Sequence, residues 1–160
     1  MEEVRGNLWD LHATGDECYQ RAWVVIPTNL GWKNNGANVM GRGLALQAAQ
    51  KYPGLPMEYG KFCQVVRSQD RKCMFDEEKC LVLAPSKPLD ADHPWLSWQQ
   101  GSDPELVKRS LHEIYEWTVL VQEDFGLPLL GTGNGGLDRK LVLDMTREIL
   151  GGVRWCCLYL

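Results

Sequence analysis

No apolar run in the 160-residue chain approaches the ~20 residues that a bilayer-spanning helix needs. The stretch Met1–Asp10 is acidic and lacks the apolar core of a secretory signal, so the expected location is the cytoplasm. Positive charge is also scarce. Seventeen Lys and Arg face 21 Asp and Glu, for a formal net charge of −4. A broad electrostatic grip on nucleic acid needs clustered Lys and Arg. That mode is excluded; action on one modified base in a small groove is not. No repeat, low-complexity tract or linker divides the chain, and its length suits a single domain, residues 1–160, around one core. The expected assembly is a monomer.

The six cysteines (Cys18, Cys63, Cys73, Cys80, Cys156 and Cys157) form no CxxC pair. None has a histidine at metal-ligand spacing, so no metal site and no cofactor are expected. The thiols read as buried groups in a reducing compartment. Of the three histidines, His12 is isolated, His112 falls on a predicted helix and reads as surface, and His93 falls in a loop near Lys87.

What is present is an alternation of strands and helices. "RAWVVIPT", "EKCLVLAP", "LPLLG" and "VRWCCLYL" are apolar runs of buried-strand type, the second ended by Pro85. "VRGNLWDL" reads as a short first strand and a turn. "LALQAAQKYP", "GLPMEYGKFCQVVRSQ" and "LDRKLVLDMTREIL" have helical composition. "SDPELVKRSLHEIYEWTVLVQEDFG" is the clearest helix. Ser102 with Glu105 forms a capping-box pattern and Pro104 lies in the first turn. Leu106, Leu111, Ile114, Trp117 and Val121 form its apolar face, and Gly126 ends it. The alternation predicts an α/β chain with three α/β/α layers and a largely parallel, mixed central sheet.

Two glycine-rich loops stand where a strand passes to a helix. One runs from Asn29 to Gly43. The other, "GTGNGG", runs from Gly131 to Gly136. In open α/β sheets ligands bind at the carboxyl ends of the strands. Glycines let backbone approach a ligand, and free N–H groups at a helix start attract an anion. A phosphate or pyrophosphate suits such loops. Neither matches GxGxxG, and neither holds the GK[ST] of a P-loop.

"NVMGRGLALQAAQKYP" and "LPLLGTGNGGLD" resemble two segments of the macrodomain family, which binds ADP-ribose. The branch resembled is that of the DNA ADP-ribosyl glycohydrolase antitoxins and the related protein ADP-ribosylglutamate hydrolases. "MGRGLALQ", Lys87 in "LAPSKP" and Asp138 in "GGLD" stand where that branch has its glycine segment, its lysine and its aspartate. The resemblance implies roles. Asn29 and the backbone of Met40, Gly41, Gly43 and Leu44 would hold the distal ribose. Gly131, Thr132, Gly133, Asn134, Gly135, Gly136 and Leu137 would wrap the pyrophosphate. Asn7 and Leu8 would lie beside the adenine, and Lys87 and Asp138 would be catalytic. The chain departs from the family at Asn7, where an aspartate is usual and Asp10 is the candidate substitute, and at Ile26, where an asparagine is usual.

Those residues suit glycosidic cleavage, which passes through an oxocarbenium-like state. A carboxylate can move the protons. A lysine of depressed pKa can attack the sugar as an amine or protonate the leaving group. The expected function is removal of mono-ADP-ribose from a modified target, either a DNA base or a protein carboxylate. The rival readings are a non-catalytic ADP-ribose or nucleotide binding module and an ADP-ribose 1″-phosphate phosphatase. Plainer readings exist for each residue: Asp138 as a helix cap, Lys87 as a solvated loop lysine, and Trp95 and Trp98 as pins for their loop rather than stacking platforms.

Overall fold

A computed structural model describes residues 1–13, 22–66 and 69–160. Cys18 lies outside the described residues. The elements are β1 (Glu2–Val4), α1 (Leu8–Ala13), β2 (Trp23–Asn29), α2 (Gly43–Lys51), α3 (Leu55–Val66) and β3 (Met74–Asp76). There follow β4 (Leu81–Lys87), a 3-10 helix (Pro94–Gln99), α4 (Pro104–Val121), β5 (Phe125–Pro128), α5 (Arg139–Leu150) and β6 (Cys156–Tyr159). No helix among the described residues is long and apolar enough to cross a membrane.

The sheet order is β1-β6-β5-β2-β4-β3. All neighbouring strands pair in parallel except the edge strand β3, which runs antiparallel to β4. The α/β/α reading with a mixed, largely parallel sheet therefore holds. Strand periodicity explains the layers, because successive side chains point to opposite faces. Trp23, Val25, Val82 and Ala84 enter one core with Leu111, Ile114 and Val142 of α4 and α5. Val24, Ile26, Leu81 and Leu83 enter the other with Leu8, Ala48, Leu55 and Tyr59 of α1, α2 and α3. Both faces of β2 and β4 are thus covered, which is why their sequences are continuously apolar.

Several boundaries differ from the sequence reading. "VRGNLWDL" is a strand followed by a helix, not a turn; Asn7 starts it, with its Oδ1 accepting from Trp9 N at 3.1 Å. Pro85 does not end β4, which continues to Lys87; a proline removes one donor but keeps its carbonyl. The cap of α4 is Asp103, whose side chain accepts from Glu105 N, and not Ser102. That helix ends at Val121, with Gln122 in the left-handed region at φ 54°, while Gly126 lies inside β5. Neither β3 nor the 3-10 helix stood out as an element in the sequence. Cys63, Cys73, Cys80 and Cys156 are buried thiols that form no disulfide. Burial pushes the Cys63 and Cys156 thiols up to about 12, so neither is a ready nucleophile.

Candidate functional site

β2 and β5 are neighbours in the sheet, but the chain leaves them toward opposite faces. After β2 it goes to α2 and α3, and after β5 to α5. That divergence opens a crevice at the carboxyl ends of the strands, where the two glycine loops lie.

The first loop is held by amides. Asn38, 2% exposed, donates from Nδ2 to the Asn29 carbonyl (2.9 Å), Asn29 Oδ1 (3.1 Å) and the Gly31 carbonyl (2.7 Å). Asn29 Oδ1 also accepts from Gly31 N at 3.0 Å, and its Nδ2 donates to the Val39 carbonyl at 2.9 Å. An amide nitrogen carries two N–H donors; this bond uses one of Asn29's. On its outer side the loop rests on α3, with Asn38 N donating to the Pro56 carbonyl at 2.8 Å. A Cβ on Gly60 would meet the Gly36 carbonyl oxygen at 1.9 Å, so only glycine permits this contact. Met40 is buried in the core formed with α1, α2 and α3, while Gly41 and Gly43 are exposed and Leu44 is half-buried at the start of α2.

The second loop turns through Gly131 and Gly136, at φ +76° and +74°. Leu137 N donates to the Gly131 carbonyl and Gly136 N to the Gly133 carbonyl, which closes the loop on itself. Thr132 Oγ1 donates to the Leu129 carbonyl at 3.1 Å. Gly133, Asn134 and Gly136 are exposed. Ser102 clamps the loop from outside. Its backbone N donates to the Gly135 carbonyl at 2.9 Å, and its Oγ lies 3.1 Å from Ser86 Oγ at the end of β4. A Cβ on Gly135 would strike Ser102 Oγ at 1.9 Å.

Lys87 is the last residue of β4 and pairs in register with Asn29 across a bulge between Thr28 and Asn29. Its Nζ donates to the Trp98 carbonyl of the 3-10 helix at 2.7 Å. Burial, and then the neighbouring Arg42 guanidinium, hold the amine below the ordinary lysine range. Arg42 is the N-cap residue of α2, so the first loop delivers a second cation to the same strand end. Lys87 is therefore a half-buried, oriented lysine and not a solvated loop residue.

Asp138 is the N-cap of α5, its Oδ1 accepting from Leu141 N at 2.8 Å. Among the described residues no hydrogen bond or ion pair joins it to Lys87. Asn7 is exposed at the start of α1; Leu8 is buried in the core and offers a ligand only its backbone. The structure thus gathers Asn29, Lys87 and the two loops at one end of the sheet. It adds five residues that sequence reading missed: Asn38, Arg42, Gly60, Ser86 and Ser102. Gly60 alone carried a signal, as a glycine inside a helical pattern.

The chain matches no protein-family model and no curated protein. Solved structures do match. The macrodomain of Thermus aquaticus DarG has a TM-score of 0.71 and 25% identity, covering 99% of this chain and 97% of that one. The macrodomain of Mycobacterium tuberculosis DarG has a TM-score of 0.72 and 22% identity, with 99% and 95% covered. Thermosipho africanus DarTG in complex with ADP-ribose has a TM-score of 0.70 and 18% identity, with 98% of this chain and 40% of that one covered. With its layered sheet, its crevice between two glycine loops and these likenesses, the chain has the fold of a macrodomain and is similar in structure to the DarG macrodomains.

Proposed function

We propose that the chain binds ADP-ribose in the crevice and removes mono-ADP-ribose from a modified acceptor. The observation that carries this reading is Lys87: a lysine held in place by the Trp98 carbonyl, with its pKa lowered by burial and by Arg42, at the strand end opposite Asn29. A binding module has no need of such an amine. The ADP-ribose complex of the Thermosipho DarTG supports the ligand class.

In this reading the exposed glycines of the second loop and the N-terminus of α5 receive the pyrophosphate. Asn29 and the Met40–Leu44 backbone face the distal ribose, and Asn7 and the Leu8 backbone lie beside the adenine. The Lys87 amine attacks the anomeric carbon as the bond to the acceptor breaks, and the acceptor departs with that electron pair. Asp138 supplies a proton to the acceptor and takes one from the water that releases ADP-ribose. The acceptor is a DNA base or a protein carboxylate.

Calorimetric titration with ADP-ribose, AMP and ADP tests the ligand. ADP-ribose should bind at least tenfold more tightly than either control. Release of ADP-ribose from modified DNA and from modified protein, by wild type and Lys87→Ala, tests the chemistry. Full turnover by Lys87→Ala would overturn it. One observation favours a reader without activity: the Asp138 carboxylate is engaged as a helix cap. Tight ADP-ribose binding with no release from either substrate would select that reading.

A further inference from the structure

A second cavity, of about 250 Å³, opens on the outer side of the first loop. Trp32, Lys33, Asn34, Gly36, Gln64, Pro94 and Trp95 line it. None of the residues given to ADP-ribose above is among them. We infer that this cavity is a subsite for one nucleobase of a single-stranded nucleic acid, stacked by Trp32 and Trp95 beside the Lys87 centre. The inference deepens the reading above, and rests on it for what Lys87 does to that strand.

Size comes first. Pockets for drug-sized ligands run to ~300–1,000 Å³; this one is smaller and suits one ring system. Its chemistry comes second. Two indoles are contributed by separate elements, and base stacking on aromatic rings is the common device of single-strand binding. Trp95 is 43% exposed, with His93 edge-on at 5.4 Å steadying its ring. Asn34 and Gln64 bring amides, which pair both donors and acceptors of a base edge. Lys33 brings a cation for the adjoining phosphate. A proline-rich peptide would use the indoles but would leave the amides and the cation without a partner.

The walls brace one another. A Cβ on Gly31 would meet the Pro94 carbonyl oxygen at 2.1 Å, so loop and 3-10 helix are in close contact. Ser97 fixes that helix, donating to the Pro94 carbonyl at 2.8 Å and accepting from Asp90 N at 2.9 Å. The same two walls make the Lys87 centre: the 3-10 helix gives it the Trp98 carbonyl, and the loop gives it Arg42. A strand seated by one base here would share both walls with that lysine. One base and one cation also fit a chain of net charge −4, which has no broad basic face to offer.

The test is fluorescence polarisation with a labelled, unmodified single-stranded DNA pentanucleotide, alongside ADP-ribose titration of the same proteins. Trp95→Ala changes an exposed side chain and leaves the core alone. It should weaken the pentanucleotide at least ~5-fold, as expected for a stacked base, and leave ADP-ribose affinity unchanged. Lys33→Ala should flatten the dependence of log affinity on log salt by ~0.7. No binding of the pentanucleotide, or equal affinity for Trp95→Ala, overturns the inference. So does a proline-rich peptide that binds through Trp95 where the pentanucleotide does not. If the pentanucleotide binds through Trp95 and ADP-ribose binds no variant, the subsite stands and the proposed function falls.

Discussion

Asp138 has two candidate roles that a single substitution confounds and a pair separates. Its Oδ1 accepts from Leu141 N at 2.8 Å and caps α5. Removing an N-cap acceptor costs ~1 kcal/mol, within ~0.5–2. For a chain of this size, each kcal/mol is worth ~2–4 °C in Tm, so Asp138→Ala should melt ~2–4 °C below wild type. Asp138→Asn keeps the acceptor and loses the charge. A negative charge at a helix N-terminus contributes ~0.3–1 kcal/mol, so this variant should fall by ~0.6–4 °C. Turnover should divide differently. A positioned acid–base group contributes ~10²–10⁴-fold, and the amide can neither take nor give the proton. Both variants should therefore lose at least a hundredfold in ADP-ribose release. Calorimetric melting and a release assay on an ADP-ribosylated oligonucleotide read the two roles. Full turnover by Asp138→Asn would refute the proton-transfer role and leave only the cap. An unchanged Tm for Asp138→Ala would refute the cap.

In the proposed reaction Lys87 attacks as an amine, so release should rise with pH until Lys87 is deprotonated, with the limb centred below the ordinary lysine range because burial and Arg42 both disfavour its charge. Arg42→Gln removes one of those causes and should move the limb to higher pH and lower the rate at neutrality; an unmoved pH–rate profile would show that Lys87 is not the titrating group. Gly60→Ala forces a methyl toward the Gly36 carbonyl. Overpacking of this kind costs ~1–3 kcal/mol, so Tm should fall by ~2–12 °C, and the displaced loop should bind ADP-ribose less tightly; calorimetry reads both effects.

The layers were legible in the sequence because buried parallel strands leave a plain signal. "RAWVVIPT" and "EKCLVLAP" are apolar on both faces, since helices cover both faces of β2 and β4. The glycine loops were legible because a strand, a glycine cluster and a helix follow one another in sequence. What stayed hidden depends on contacts between distant segments. Nothing local marks Ser102 as the clamp on Gly135, or Ser86 as its partner, since serines are common at helix starts. The capping-box pattern pointed to Ser102, but the cap went to Asp103, which frees the Ser102 hydroxyl for Ser86. Arg42 has no role of its own in the sequence reading of "MGRG"; its effect on Lys87 exists only after β4 has been placed beside β2. Three-residue strands such as β3 carry too little periodicity to stand out.

The two departures from the family pattern have different consequences once the side chains are located. Asn7 sits at the start of α1, where its Oδ1 accepts from Trp9 N. An aspartate would accept the same bond, so the change removes a charge and keeps the local turn. Ile26 is a different case. It is fully buried in the core beneath α2 and α3, with no route to the crevice. The amide that ties the strand end to its loop comes instead from Asn38, twelve positions later, through three hydrogen bonds to Asn29 and Gly31. Ile26→Asn would therefore not restore a ligand contact. It would place an unpartnered amide among Val24, Leu81 and Leu83. Leaving a buried polar group unsatisfied costs ~1–3 kcal/mol, and the lost apolar burial adds to it. Tm should fall by ~4 °C or more, with no gain in ADP-ribose affinity. Asn38→Ala should show the converse emphasis, with affinity falling because the loop loses its anchor. A variant Ile26→Asn that melts like wild type and binds ADP-ribose more tightly would show that this position reaches the ligand after all, and that Asn38 has not taken over its work.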